Sequence, residues 1–373
     1  MQLQDDMEHP ELELKRRRRR TTSIIPDEAD AEKNKNRIGT LPDEILIDII
    51  SRLSLYEAGR TSVFSRGWRD LWKFTSGSLD FVGDQHDPKT VDPTRFLTWV
   101  NQVLELHQAP YVDKLSISFR SRIDDYDDDD DGGSPSPIVN SIGRWIRFVL
   151  QKEVRVFELQ LFPGNRFPSP DLDTFSSLLV KLKSLRLVNV NIKDKTMEHL
   201  LSICPYLEKL SLEGSGYTKY LSVVSQSLKS LVVKHCHKLK SLVISSENLV
   251  SFEGFYNRDD PVYFDNVPLL SELKISGRYC ESFVLLPQHH SHYCGQLEKL
   301  LLLVRSEMMY YCTLLFRRQI ELPRLHNLKQ LELIFSQAGE SILYFVLFTK
   351  ACPSLSTMQV QFTDIDAQSQ EPN

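Results

Sequence analysis

The sequence has few cysteines and no long run of apolar residues. Its 373 residues include six scattered cysteines, too few for a disulfide framework, so we expect reduced intracellular thiols. No apolar run approaches the roughly 18 to 20 residues that cross a bilayer, and the first residues are acidic and polar, unlike a secretory signal. These absences predict a protein without a membrane partner, located in the nucleus, the cytoplasm or both.

Motifs for catalysis and for metal binding are also missing. The sequence has no Gly-x-Ser-x-Gly elbow and no glycine-rich phosphate loop before a Lys-Ser/Thr pair. Two segments carry metal-type ligands, His-Cys-His at 235–237 and His-His-x-His-x-Cys at 289–294, but neither has a partner at structural-zinc spacing. We therefore expect no catalytic residue, no metal and no cofactor.

Charge is unevenly distributed along the chain, although a net charge of -5 argues against general nucleic-acid binding. Residues 1–36 are predicted to be a disordered charged leader. Its basic run is a nuclear import signal or a solvated tail, with a nucleic-acid contact as a third and weaker option, and these interpretations stay open. Residues 124–137 open with clustered aspartates and predict an acidic surface loop, whose spacing does not fit a calcium loop. The basic run is Lys15, Arg16, Arg17, Arg18, Arg19 and Arg20.

The segment from Leu41 to Trp72 is predicted to form three helices. Apolar residues recur at steps of four from Leu41, which indicates one apolar face on a helix that begins near Pro42. Ser54 and Glu57 have the spacing of a capping box, which predicts the start of a second helix. Ser65 repeats the cap for a third helix, whose apolar residues are Trp68, Leu71 and Trp72.

This three-helix segment has more apolar surface than about thirty residues can enclose. It should therefore share that surface with a partner or with another domain. An ordinary helical subdomain packed on the rest of the chain also fits the pattern.

A second pattern, L-x-x-L-x-L, recurs ten times from residue 112 onward. Intervals of 20 to 29 residues are typical of leucine-rich repeats, in which each copy supplies one strand of a parallel sheet on the concave face of a curved solenoid. The longer intervals leave room for helices, and the segment around Leu242 predicts an extended return path. The copies begin at Val112, Val154, Leu182, Leu207, Leu228, Leu249, Leu270, Leu297, Leu328 and Leu355.

The residues between the template leucines should lie on the concave face. Most of them are polar, but the later repeats place four apolar residues there. Exposed apolar residues in a row favour a contact site, unless a C-terminal segment or the loop at 306–318 covers them. This candidate target-binding set is Phe255, Leu301, Leu303 and Ile334.

Residues 37–46 and 57–72 together closely resemble the F-box of plant F-box/leucine-rich-repeat proteins. In that family the F-box binds a Skp-type adaptor, which bridges to a cullin, and the repeat domain selects a protein for ubiquitination. Two residues depart from the family pattern: Ser54 stands in place of a common proline, and Gly67 in place of a basic residue. The resemblance implies that the adaptor-binding residues are Leu41, Pro42, Ile45, Leu46, Ile49, Leu53, Val63 and Trp68.

The expected fold class is α/β, with an F-box at 37–80, a leucine-rich-repeat solenoid at 92–365 and a tail at 366–373. The expected function is a non-catalytic substrate receptor of a Skp-cullin-F-box ubiquitin ligase, with an unknown target protein. The alternative is an interaction scaffold or sensor that acts outside a ubiquitin ligase. Only the departures at Ser54 and Gly67 support that alternative.

Overall fold

The structure is a computed structural model, and its chain divides into two compact units, residues 1–46 and residues 47–373. The predicted leader, the basic run, most of the acidic loop and the tail lie outside the described residues. The described residues are 38, 41–83, 93–119, 137–161, 181–256, 262–277, 279–280, 283, 289–304, 322–335 and 348–362.

The helices follow the predicted starts and periodicities in most places. A capping box at Ser54 and Glu57 opens the second helix as expected, and the helix at 194–203 fills the long interval before the fifth strand of the sheet. No described helix has both the length and the apolar composition needed to cross a membrane. The helices are α1 Asp43–Ile50, α2 Leu55–Thr61, a 3-10 helix Leu71–Phe74, α3 Pro93–Leu106, α4 Pro137–Gln151, α5 Asp194–Ile203 and α6 Ser291–Cys294.

The third helix of the N-terminal segment differs from the expectation. Turns occupy residues 66–70, and only Leu71–Phe74 is helical, as a 3-10 helix. The amides of Arg69 and Leu71 bond to carbonyls three residues earlier, which is the tighter 3-10 pattern. Gly67 lowers helix propensity in this stretch, so a helix beginning at Ser65 does not form.

Among the described residues, fourteen strands form two parallel sheets. The main sheet has eleven strands in the order β1-β2-β3-β4-β5-β7-β9-β11-β12-β13-β14. All ten predicted repeats supply one of its strands, which confirms the leucine-rich-repeat interpretation. The strands are β1 Ser78–Val82, β2 Lys114–Ser118, β3 Val156–Gln160, β4 Ser184–Val188, β5 Lys209–Glu213, β6 Tyr220–Val224, β7 Ser230–Lys234, β8 Ser241–Ser245, β9 Ser251–Tyr256, β10 Val262–Asn266, β11 Glu272–Gly277, β12 Lys299–Val304, β13 Gln330–Phe335 and β14 Thr357–Phe362.

The register of the main sheet aligns the repeats position by position. Template leucines such as Leu210, Leu231 and Leu273 face the core and are buried, because alternate side chains of a strand point to opposite faces. The residues between them form the outward face. The apolar faces of α4 and α5 belong to the same buried cluster as the strand leucines, so one continuous core extends through the repeats.

Three strands were not predicted from the sequence. β1 is the first strand of the main sheet, and β6 and β10 flank β8, the expected return segment, in a three-stranded sheet. β1 and β6 each lack an apolar residue at the first template position, where Ser76 and Thr218 stand instead. Buried Thr218 donates to the carbonyl of Ile192 at 2.8 Å instead. Because β1 is its first strand, the main sheet begins at Ser78, before the predicted solenoid boundary at residue 92.

The link from the 3-10 helix to β1 is short and hydrogen-bonded. The carbonyl of Lys73 accepts the amides of Gln108 and Ala109 at 2.7 and 3.1 Å, and the amide of Ser76 bonds to the Ser51 hydroxyl. Gly77 packs directly against the Ser51 carbonyl, where a side chain would clash. The end of the helical segment is therefore fixed to the first strands of the sheet.

Candidate functional site

Several predicted adaptor-binding residues are exposed in spite of being apolar. In the first unit, Leu41 and Pro42 are exposed and Ile45 is 49% exposed. In the second unit, Ile49 is 39% and Val63 is 83% exposed. Large aliphatic side chains are usually buried in a protein that acts alone, and a group of exposed ones marks a contact surface.

Other members of the predicted set lie inside. Leu46 and Trp68 are buried, and Leu53 is half-buried. The Trp68 ring packs edge-on against Phe64, with ring centroids 5.7 Å apart. Leu46 and Trp68 are therefore placed in the packing of the helices and not on the exposed surface. The adaptor-binding role of all eight residues stays a prediction.

The structure adds two exposed aromatic residues that the sequence analysis did not select. Tyr56 and Phe64 are 73% and 70% exposed. Both lie within the segment from Leu41 to Trp72, but neither fits the four-residue spacing that indicated the apolar helix face. Their exposure is visible only once α2 and the turn after it are placed.

The two departures from the family pattern have different local consequences. The Ser54 hydroxyl accepts a hydrogen bond from the Glu57 amide, and the Ser54 amide donates to the Glu57 carboxylate at 3.0 Å. The pKa of Glu57 is lowered chiefly by a hydrogen bond from the Ser54 hydroxyl to its carboxylate at 2.8 Å, and further by this amide bond. A Cβ atom at Gly67 would meet only the Ser65 hydroxyl at 3.7 Å, so no close contact requires glycine there.

The candidate target-binding residues come together on the outward face of the main sheet. Leu303 is in register with Ile334 on one side, and Ser276 separates it from Phe255 on the other. Leu301 lies two residues before Leu303 on the same strand. All four apolar side chains are half-buried. We call Phe255, Leu301, Leu303 and Ile334 the apolar patch.

The rest of the outward face consists largely of polar residues and ion pairs. Oppositely charged side chains lie on neighbouring strands, where cross-strand pairs of this kind contribute modestly to stability. Their N–O distances are 2.8 Å for Lys114–Glu158, 3.2 Å for Arg186–Glu213, 2.6 Å for Lys234–Glu253 and 2.7 Å for Lys299–Glu272. The apolar patch is thus set within a face whose charges are mostly matched.

The described thiols are in no state to act as nucleophiles. Cys204, Cys236, Cys294 and Cys352 are buried, and burial raises the pKa of each thiol to between about 11 and about 12. Thiols with such pKa values stay protonated at neutral pH. Cys204 is the C-cap residue of α5, which is a structural position.

The histidine-rich segment at 289–294 packs on the core through His290, Tyr293 and Cys294, whereas its other residues are exposed. Nδ1 of the buried His290 ring lies 2.7 Å from the hydroxyl oxygen of Tyr293. That oxygen lies 3.1 Å from the hydroxyl oxygen of Tyr279. His292 contacts the Phe264 carbonyl through Nε2 at 2.7 Å. Within the part of the chain that the structure describes, no three His, Cys, Asp or Glu residues are grouped to hold a metal ion.

Comparison with known proteins agrees with both parts of this architecture. The F-box domain family matches residues 38–75. The leucine-rich-repeat family described as "At1g61320/AtMIF1, LRR domain" matches residues 168–371, more than half of the chain. The two matches cover the helical segment and most of the main sheet.

Relatives in Arabidopsis thaliana carry the same combination in their names. "F-box/FBD/LRR-repeat protein At2g04230" is 28% identical over 275 residues, which cover 65% of this chain and 54% of the relative. "F-box/LRR-repeat protein 13" is 27% identical over 275 residues, with coverage of 66% and 53%. "F-box/LRR-repeat protein At3g59210" is 29% identical over 268 residues, with coverage of 63% and 52%. The chain spans about half the length of these curated relatives.

An F-box joined directly to a parallel leucine-rich-repeat sheet defines the class of protein. The chain belongs to the plant F-box/leucine-rich-repeat proteins, within the family described as "At1g61320/AtMIF1, LRR domain". Proteins of this class are typically non-catalytic adaptors.

Proposed function

We propose that the chain is the substrate-recognition subunit of a Skp-cullin-F-box ubiquitin ligase. The F-box binds a Skp-type adaptor and, through it, a cullin, while the repeat sheet binds a target protein. The observation that carries the proposal is the exposure of aliphatic residues in the F-box, including Ile49 and Val63. A partner that covers these side chains removes apolar area from water, at about 25 cal/mol for each Å².

The contribution of such a subunit to ubiquitin transfer is proximity. One part of the chain binds the ligase scaffold, and another part holds the target, so target lysines stay near a catalytic site on other subunits. No group of this chain takes part in the chemistry. The protonated thiols described above are compatible with that role.

The fixed link between the F-box and the sheet supports this mechanism. The amides of Gln108 and Asp113 donate to the carbonyls of Lys73 and Ser76, and these bonds join the end of the F-box to the first repeats. A target held on the sheet would then keep a constrained position relative to the end of the F-box. A freely jointed linker would dilute this proximity effect.

Co-purification with a Skp-type adaptor tests the proposal. We expect the unaltered chain to retain the adaptor, and we expect Leu41→Ala with Pro42→Ala, or Ile49→Asp with Val63→Asp, to weaken retention at least about tenfold. Tyr220→Ser is a matched control, because Tyr220 is also exposed but lies on β6. Undiminished retention by both double variants would refute the site assignment.

The second candidate is a repeat-protein scaffold or sensor that works outside a ligase. The departures at Ser54 and Gly67 favour it, since both lie in the F-box. An unaltered, folded chain that does not retain the adaptor would favour this candidate. We also propose a location in the nucleus or cytoplasm, on the basis of the basic run at residues 15–20.

A further inference from the structure

The apolar patch borders a lysine for which the described residues provide no carboxylate partner. Lys274 is exposed on β11, in register with Glu253 on one side and with Leu301 of the patch on the other. Glu253 is already engaged in the 2.6 Å ion pair with Lys234. Lys274 therefore presents its positive charge beside apolar side chains.

The other lysines near the patch have carboxylate partners within the described sheet. Lys299 pairs with Glu272 at 2.7 Å, and Lys234 pairs with Glu253. Glu332, in register with Leu301 on the side away from Lys274, has no cationic partner among the described residues and accepts a hydrogen bond from Gln361 at 3.2 Å. Lys274 is thus the lysine beside the patch whose charge is left for a bound partner to match.

Any partner that covers Leu301 also removes water from Lys274. Neighbouring strands are only about 4.8 Å apart, so the two side chains lie under the same part of a bound segment. Removing water from an unpaired ammonium group is costly. A carboxylate on the partner offsets that cost through a charge-assisted hydrogen bond.

We propose that the apolar patch and Lys274 together bind an extended segment of the target that carries an Asp or Glu close to a large aliphatic or aromatic residue. The proposal rests on the proposed function, because it describes how the repeat sheet recognises its target. Charge complementarity identifies the partner as an acidic and apolar peptide. Lys274 is the specificity-determining residue, and the patch supplies the apolar contact.

The geometry also limits the spacing of the two groups in the target. Leu301 lies one strand from Lys274, and Ile334 lies two strands away and two residues further along. These offsets place Leu301 and Ile334 about 5 to 12 Å from Lys274 along the sheet. An extended segment advances about 3.3 Å per residue, so the acidic residue should lie within about one to four positions of the apolar one.

Selection from a displayed library of random linear peptides tests this inference with the full chain, in the presence and in the absence of a Skp-type adaptor. We expect the selected peptides to be enriched in Asp or Glu within four positions of Leu, Ile or Phe. Lys274→Glu should weaken binding of a selected peptide at least about tenfold, and exchanging its acidic residue for Lys should restore binding to the variant. Ile334→Asp should also weaken binding, because it removes part of the patch.

Lys209→Glu is the matched control. Lys209 is an exposed lysine on the same face, in register with Ser184 and Ser230, and it lies outside the patch. This variant should bind the selected peptide within about twofold of the unaltered chain. Failure to select any peptide, selection without acidic enrichment, or equal weakening by both lysine variants would overturn the inference. Adaptor retention is measured on the same preparations, so its loss would count against the ligase role and not against peptide recognition.

Discussion

At the scale of single residues, His107 shows how the link between the F-box and the sheet is held. Its buried ring contacts the Thr75 carbonyl through Nε2 at 2.8 Å, and its Nδ1 has no partner among the described residues. Because a carbonyl only accepts, Nε2 must carry the proton and Nδ1 the lone pair. Burial lowers the pKa of His107 from 6.5 to about 4, although the Thr75 bond opposes the shift.

This low pKa makes the stability of the protein depend on pH. The unfolded chain takes up a proton at His107 below about pH 6.5 and the folded chain only near pH 4, so acid favours unfolding between these values. From about pH 7.5 to about pH 5, His107 should contribute a loss of about 2 kcal/mol. The loss should be absent in His107→Gln, whose amide can still donate to the Thr75 carbonyl.

Urea unfolding of both proteins at the two pH values measures the difference. The unaltered chain should lose about 2 kcal/mol more than the variant on acidification. The variant is the reference for all other titrating groups, since the two proteins differ only at residue 107. Parallel losses in the two proteins would show that His107 is not held neutral in the fold.

At the scale of the elements, four strands of the main sheet end at a residue in the left-handed conformation. Asn189, Gly214, His235 and Gly277 have φ between 53° and 69°, and each directly follows the last outward-facing residue of its strand. Asn189 also donates its side-chain amide to the Leu161 carbonyl at 3.0 Å. Glycine and asparagine tolerate this conformation better than branched residues do.

Replacing Asn189 separates the conformational requirement from the hydrogen bond. Asn189→Val should destabilise the protein by about 2 to 4 kcal/mol, because it adds backbone strain and leaves the Leu161 carbonyl without this donor. Asn189→Gly loses only the bond and should cost about 1 to 2 kcal/mol. Denaturant unfolding of both variants provides the comparison, and equal costs would contradict a backbone requirement at this position.

The elements also show which parts of the fold were predictable. The ten L-x-x-L-x-L copies located ten strands, because a strand whose leucines are buried needs apolar residues at alternate positions. β1 and β6 were missed because Ser76 and Thr218, which are polar, stand at the first template position, where the buried Thr218 hydroxyl donates to a carbonyl. The third F-box helix was overestimated, because a cap at Ser65 does not ensure that a helix propagates.

At the scale of the whole molecule, the chain combines an F-box that carries exposed apolar side chains with a repeat sheet that carries the apolar patch, which we propose as the target site. The sequence predicted both parts, since their patterns are local. It could not separate exposed Val63 from buried Trp68, because burial depends on contacts between distant segments. It also could not single out Lys274, whose importance depends on pairings between neighbouring strands.

Assembly with the ligase scaffold tests the central claim most directly. The purified chain, a Skp-type adaptor and a cullin are mixed, and the mass of the complex is measured by light scattering during size-exclusion chromatography. The account predicts a single complex with one copy of each component, in which the chain joins only when the adaptor is present. A folded chain that elutes alone beside an intact adaptor–cullin complex would contradict the account.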